Sequence, residues 1–202
     1  MSLWRGKDPL ILASQSRARQ ALLANAGIEF EAVAAEIDER AVQQASSLSA
    51  PGDIAALLAR QKAISVSIRR PGNFVVGADQ TLALGTGLFT RPDGRAQATE
   101  QLRALAGRSH QLYSAVAVAR GGKILFESAD TARMTIRRLG EAEIGAYLNE
   151  ARVAVTSSVG AYQLEGLGVH LFERVEGDHF TILGLPLLPL LAFLRSERLL
   201  AV

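Results

Sequence analysis

The sequence predicts an α/β fold with a mixed, twisted sheet and flanking helices. Three observations carry this. Short apolar runs alternate with helix-period segments along the first 80 residues, the pattern of βα units and parallel strands. Phe74-Val75-Val76-Gly77-Ala78 is a continuous apolar run, which fits a strand buried on both faces. Gly121-Gly122 lies between two strand patterns, a two-residue hairpin signal that adds antiparallel pairing.

The elements follow in order. Pro9-Leu10-Ile11-Leu12-Ala13 reads as a short buried strand that enters a polar turn, Ser14-Gln15-Ser16, with N-capping residues. A helix is predicted over 17–26 and stops at Gly27. A strand follows over 30–33, then a charged loop over 36–40. Pro51-Gly52-Asp53 opens a long helix with Asp53 as its N-cap, and Ile54, Leu57, Leu58 and Gln61 trace one face. Arg69-Arg70-Pro71-Gly72 ends it. The apolar strand over 74–78 stops at Asp79. A short strand or hairpin is expected over 82–90 and a helix from Pro92-Asp93 to Leu105. Strands are predicted over 110–119 and from Lys123 onward, with a short helix over 141–149. A Gly/Ser-rich loop covers 157–168, a strand 171–175 and a closing helix 185–199.

The length of 202 residues suits one domain over 1–202, and 49% hydrophobic content excludes a disordered chain. With 22 Lys+Arg against 20 Asp+Glu the net charge is +2. That offers no bulk attraction for nucleic acid or a membrane surface. The absence of cysteine excludes disulfides, zinc–thiolate sites and cysteine nucleophiles. A count of three histidines argues against a histidine-rich metal site. The opening MSLWRGKDP is not followed by a signal-type apolar run. The most apolar stretch, over 181–194, is broken by Pro186 and Pro189 and falls short of the roughly 20 residues of a membrane span. A cytoplasmic protein is expected.

No P-loop, dinucleotide fingerprint, HExxH or GxSxG motif is present. The chemistry-bearing residues are charged groups at the ends of predicted elements. Ser14, Ser16, Arg17 and Arg19 flank a helix N-terminus, where free N–H groups and forked guanidinium donors favour an anion. The same residues also make an ordinary capped helix. Asp79, at the end of its apolar strand, sits where open α/β sheets place ligands, and it can activate water or hold a cation. Asp is equally a common turn residue. Glu36, Asp38 and Glu39 form an acidic cluster of the oxygen-donor type that suits Mg²⁺ or Mn²⁺, or a solvated loop. Lys62 reaches a phosphate or snorkels at the edge of its helix face. Gly160-Ala161-Tyr162-Gln163-Leu164-Glu165-Gly166-Leu167-Gly168 allows close backbone approach to a ligand, with Glu165 able to accept from a base edge. Together these features point to nucleotide phosphate chemistry.

Several blocks are shared in order and spacing with a known family: LILASQSRARQALLANAGIEFE, EIDE, ARQKA, VVGADQTL, LAGRSHQLYSAVAVA and GAYQLEGLGVHLFERVEGDHFTILGLPL. On these the chain resembles the Maf nucleoside triphosphate pyrophosphatases over nearly its whole length. The resemblance implies a mixed α/β fold with a deep cleft between two lobes. It implies a house-cleaning hydrolysis of a nucleoside triphosphate to the monophosphate and pyrophosphate, with Mg²⁺ or Mn²⁺, and a homodimer. It assigns Asp79 as proton acceptor and Glu39 as an acidic metal or water ligand. Ser14, Arg19 and Lys62 fall at phosphate-contacting positions, and Ala18, Gln80 and Glu165 where the family varies with substrate. Arg17 stands where the family usually has proline, Ala18 where it has Arg or an aromatic, and Arg91 where it has Lys before proline. The pair Gln80 and Glu165 resembles the subgroup that cleaves 7-methyl-GTP, while Thr and Gln there mark the dTTP/UTP subgroup. A nucleotide-binding regulator of septum formation is the non-enzyme alternative.

Overall fold

Leu10-Ile11-Leu12 offers no polar side chain to solvent, and all three residues are buried as β1 (Leu10–Leu12). In the computed structural model, which describes residues 3–152 and 154–202, the chain then turns at Ser14-Gln15-Ser16 into α1 (Arg17–Asn25). The first two residues of the opening MSLWRGKDP stretch lie outside the described residues. Ser16 caps α1 by accepting the Arg19 N–H at 3.5 Å. Gly27 takes the left-handed conformation just past the helix, with φ 69°. The chain then enters β2 (Phe30–Ala32), parallel to β1.

The charged stretch predicted as a loop over 36–40 is a loop as far as the cap Asp38, and Glu39 and Arg40 then open α2 (Glu39–Ala45). Asp38 caps it through the Ala41 N–H at 3.0 Å. No residue of α2 is buried, so no apolar stripe marks it in the sequence. The long helix is α3 (Pro51–Arg69). It starts at Pro51, before the predicted cap Asp53, because proline is already set for the first helical position. Asp53 lies in the first turn, where its charge suits the helix dipole.

The strand predicted to stop at Asp79 runs on as β3 (Val75–Leu84). Asp79 and most β3 residues on either side of it are buried, so its polarity does not end the strand. β3 pairs in parallel with β1 and antiparallel with β4 (Gly87–Phe89). Next come α4 (Arg95–Leu105), β5 (Ser109–Arg120) and β6 (Lys123–Ile136). Gly121 and Gly122, with φ 55° and 80°, make the predicted two-residue turn between the last two. α4 begins three residues after Pro92, with Gly94 at its cap.

The chain continues with α5 (Glu141–Ala151), α6 (Ala154–Ser157) and tight turns over 159–161 and 167–171. It finishes with β7 (Phe172–Glu176), α7 (His179–Ile182) and α8 (Leu187–Ser196). β7 pairs antiparallel with β6. The strand order is β2-β1-β3-β5-β6-β7, with β4 on β3, a mixed seven-stranded sheet. Among the described residues no helix is long and apolar enough to cross a membrane.

The chain forms two compact units, one of residues 1–80, 113–130 and 183–202, the other of 81–112 and 131–182. In the first, Ala55, Ala59 and Ala63 of α3 pack on Ala115, Ala117 and Ala119 of β5. Small residues on both surfaces let helix and strand approach closely. The second has a larger core that includes Leu102, Leu112, Met134, Ile136, Ile144 and Tyr162.

His110 lies in that second core, 1% exposed, with Nε2 2.6 Å from the Tyr162 hydroxyl and Nδ1 without a hydrogen-bond partner. Burial lowers its pKa to about 4, because taking the imidazolium out of water penalises its charge. Its folded pKa is thus depressed below the ordinary value of about 6.5. Stability is complete above that ordinary value and falls as the pH drops toward 4, by about 1.4 kcal/mol per unit. Denaturant midpoints measured between pH 7 and 4 should show this slope, and His110→Gln should flatten it.

Candidate active site

The first unit positions its charged residues through one close contact. A Cβ at Gly77 of β3 would lie 2.2 Å from the Ala59 carbonyl oxygen and 2.5 Å from the Ala63 nitrogen. The α3 backbone therefore rests directly on β3, with glycine the residue that fits. Lys62, one residue before Ala63, is carried onto Asp79, two residues beyond Gly77. Its ammonium lies 2.5 Å from Asp79 Oδ1 and 2.8 Å from Glu39 Oε1. The two carboxylates, from β3 and the first turn of α2, thus converge on one buried cation.

Asp79 and Lys62 are 7% and 8% exposed, whereas the Glu39 side chain is half exposed. Burial pushes the Asp79 carboxyl above its ordinary range, against the pull of Lys62 and Arg19. The Glu39 charge adds to the upward shift. The result is a carboxyl of raised basicity beside a buried ammonium.

Arg19 lies in the same neighbourhood but not as a free fork. It is 7% exposed, and Nε donates to the Gly184 carbonyl at 2.7 Å. Nη1 donates to the Ala78 carbonyl at 3.0 Å and to Ser14 Oγ at 3.2 Å. Arg19 therefore ties the turn before α1 to β3 and to the segment before α8. Ser14 Oγ also accepts the Ser16 N–H at 3.3 Å, so the hydroxyls of Ser14 and Ser16 both organise the start of α1. Ala18 is partly buried within α1, and Arg17 is exposed.

The remaining predicted residues are placed differently. Gln80 follows Asp79, but the pleat turns it to the opposite face of β3, where Nε2 donates to Ser114 Oγ at 2.9 Å. Arg91 and Glu165 belong to the second unit, and both are exposed. Arg91 precedes α4, and Glu165 occupies a turn. The chain just before that turn is firmly held. Tyr147 Oη donates to the Ala161 carbonyl at 3.1 Å, and the Gly160 N–H donates to Gln101 Oε1 at 3.2 Å. Gly160 and Ala161 both have positive φ, 78° and 61°.

Sequence reasoning missed Gly77 as a contact residue, although a glycine inside a strand pattern is a known sign of close backbone approach. Among the described residues no three or more Asp, Glu, His or Cys side chains cluster as a metal cage. Two converging carboxylates nevertheless fit Mg²⁺ or Mn²⁺, which accept oxygen ligands and complete their shell with water and substrate phosphates.

The family profile described as Maf-like protein matches residues 9–197. The chain belongs to the Maf family. The Maf relatives include a nucleoside triphosphate pyrophosphatase of Bradyrhizobium diazoefficiens, 70% identical over 100% of both chains. One of the same name from Rhodopseudomonas palustris is 66% identical, again over 100% of both. A 7-methyl-GTP pyrophosphatase of Brucella abortus is 51% identical over 94% of this chain and 96% of its own. The mixed sheet with flanking helices agrees with the α/β fold expected from the sequence.

Proposed function

We propose that this Maf protein is a nucleoside triphosphate pyrophosphatase that attacks the α-phosphorus and releases pyrophosphate. The observation that carries the reading is the Lys62 ammonium held between buried Asp79 and half-exposed Glu39. Relatives 60–70% identical carry the same name as the proposed activity.

In this reading water attacks the α-phosphorus and the α–β anhydride bond breaks. Asp79 accepts the proton of that water, a task suited to its raised basicity. Lys62 faces the charge that develops on the leaving pyrophosphate. Glu39 and Asp79 would hold a divalent cation, which supplies charge neutralisation at the phosphates. Arg19 braces the N-terminus of α1, where backbone N–H groups favour phosphate oxygens. Positioning and charge stabilisation supply most of the acceleration.

The preferred substrate in this proposal is a 7-methylguanine nucleotide. The 51% identical relative bears that name. Initial rates with 7-methyl-GTP, GTP, dTTP and UTP in Mn²⁺, read as pyrophosphate release, test both levels. The highest kcat/KM is expected with 7-methyl-GTP. Preference for dTTP or UTP overturns the base assignment, and no release from any of them overturns the hydrolytic reading.

A further inference from the structure

The α2 helix begins with Glu39 and packs on α3 through partly buried residues only, Val42 and Gln43 among them. The chain before it therefore also bears on where that carboxylate sits. There α3 grips the backbone. Arg69 Nη2 donates to the Ala34 carbonyl at 2.8 Å and the Ala35 carbonyl at 3.4 Å, while Nη1 donates to Glu36 Oε2 at 2.8 Å. Ser65 Oγ donates to the same Ala35 carbonyl at 2.6 Å. Glu36 itself holds a left-handed backbone, φ 54°, which a non-glycine residue adopts only under constraint. Two residues later Asp38 caps α2 and aims Glu39 at Lys62. Lys62, Ser65 and Arg69 all lie on α3, so one helix supplies both the cation and the fixture for its partner.

We propose that Arg69, with Ser65, is a positioning residue that sets Glu39 beside Lys62 by clamping residues 34–36. This rests on the hydrolytic reading above. The Arg69 and Glu36 side chains are 41% and 70% exposed, and an ion pair that open to solvent contributes little to global stability. The clamp therefore acts on geometry rather than on folding.

The test combines turnover with amide exchange in the full chain. Arg69→Met should lower kcat/KM for the best triphosphate about 10–100-fold, leave the melting temperature nearly unchanged, and speed amide exchange over 36–42. In a Glu39→Gln background the same change should cost almost nothing, because the group it positions is gone. Arg69→Lys should recover part of the activity, since an ammonium can reach one of the three acceptors but not fork across them. Equal losses in both backgrounds, or unchanged exchange over 36–42, overturn the clamp. If Glu39→Gln alone turns over at the parent rate, it is the hydrolytic role of Glu39 that falls. The exchange arm then decides the clamp by itself.

Discussion

Asp79→Asn is expected to lose about 10²–10⁴-fold in kcat/KM while keeping a melting temperature close to that of the parent protein. The amide cannot accept a proton from water, so the proposed general base is removed. The fold tolerates the change for two reasons. The carbonyl oxygen of the new amide can still accept from Lys62, and Lys62 keeps its ion pair with Glu39. The buried carboxylate's desolvation cost also disappears. The pH profile supplies an independent readout. The base must be ionised to work, so activity falls as the pH drops through the Asp79 pKa. This gives kcat/KM an acid limb. Residual activity in Asp79→Asn should lack that limb. Near-normal turnover would remove Asp79 from the chemistry.

Gly77→Ala should be the most damaging single methyl group in the first unit. The added Cβ meets the Ala59 carbonyl oxygen and the Ala63 nitrogen, both backbone atoms that cannot rotate away. Either α3 lifts from β3 or the strand bends. Overpacking of this kind costs about 3 kcal/mol, which lowers Tm by about 6–12 °C in a chain of this size. Activity should fall as well, because the shift separates Lys62 from Asp79. Gly145→Ala is the informative control. It sits inside α5 with open space where its Cβ would go, so the same change should stabilise by about 0.5–1 kcal/mol through helix propensity. Thermal melts of the two variants should move in opposite directions. A Gly77→Ala protein as stable as the parent would show that the α3–β3 contact is not tight.

Local signals make much of the architecture legible. The apolar run of β1, the Ser16 cap of α1 and the Gly121-Gly122 turn depend on nearest neighbours in the chain. The existence of α3 is legible too, but not its face: Leu57 and Gln61 are only partly buried, while Ala55, Ala59, Lys62 and Ala63 are buried where small residues let the helix sit on the sheet. The helix α2 is hidden because a surface helix with no buried residue has no stripe to read. The end of β3 is misplaced because an aspartate looks like a strand terminus until neighbouring elements are known to cover it.

Residue identity was enough to draw up the candidates: Ser14, Arg19, Glu39, Lys62 and Asp79 are chemically recognisable wherever they fold. Which of them meet was decided by the folded chain. It brought Glu39 and Asp79 onto one ammonium, turned Gln80 to the other face of its strand, and committed Arg19 to backbone carbonyls. Residue type sets charge and hydrogen-bonding capacity, but basicity and partnership depend on burial and distance. Those arise only when α3 settles against Gly77 and chain segments far apart in sequence share one small volume.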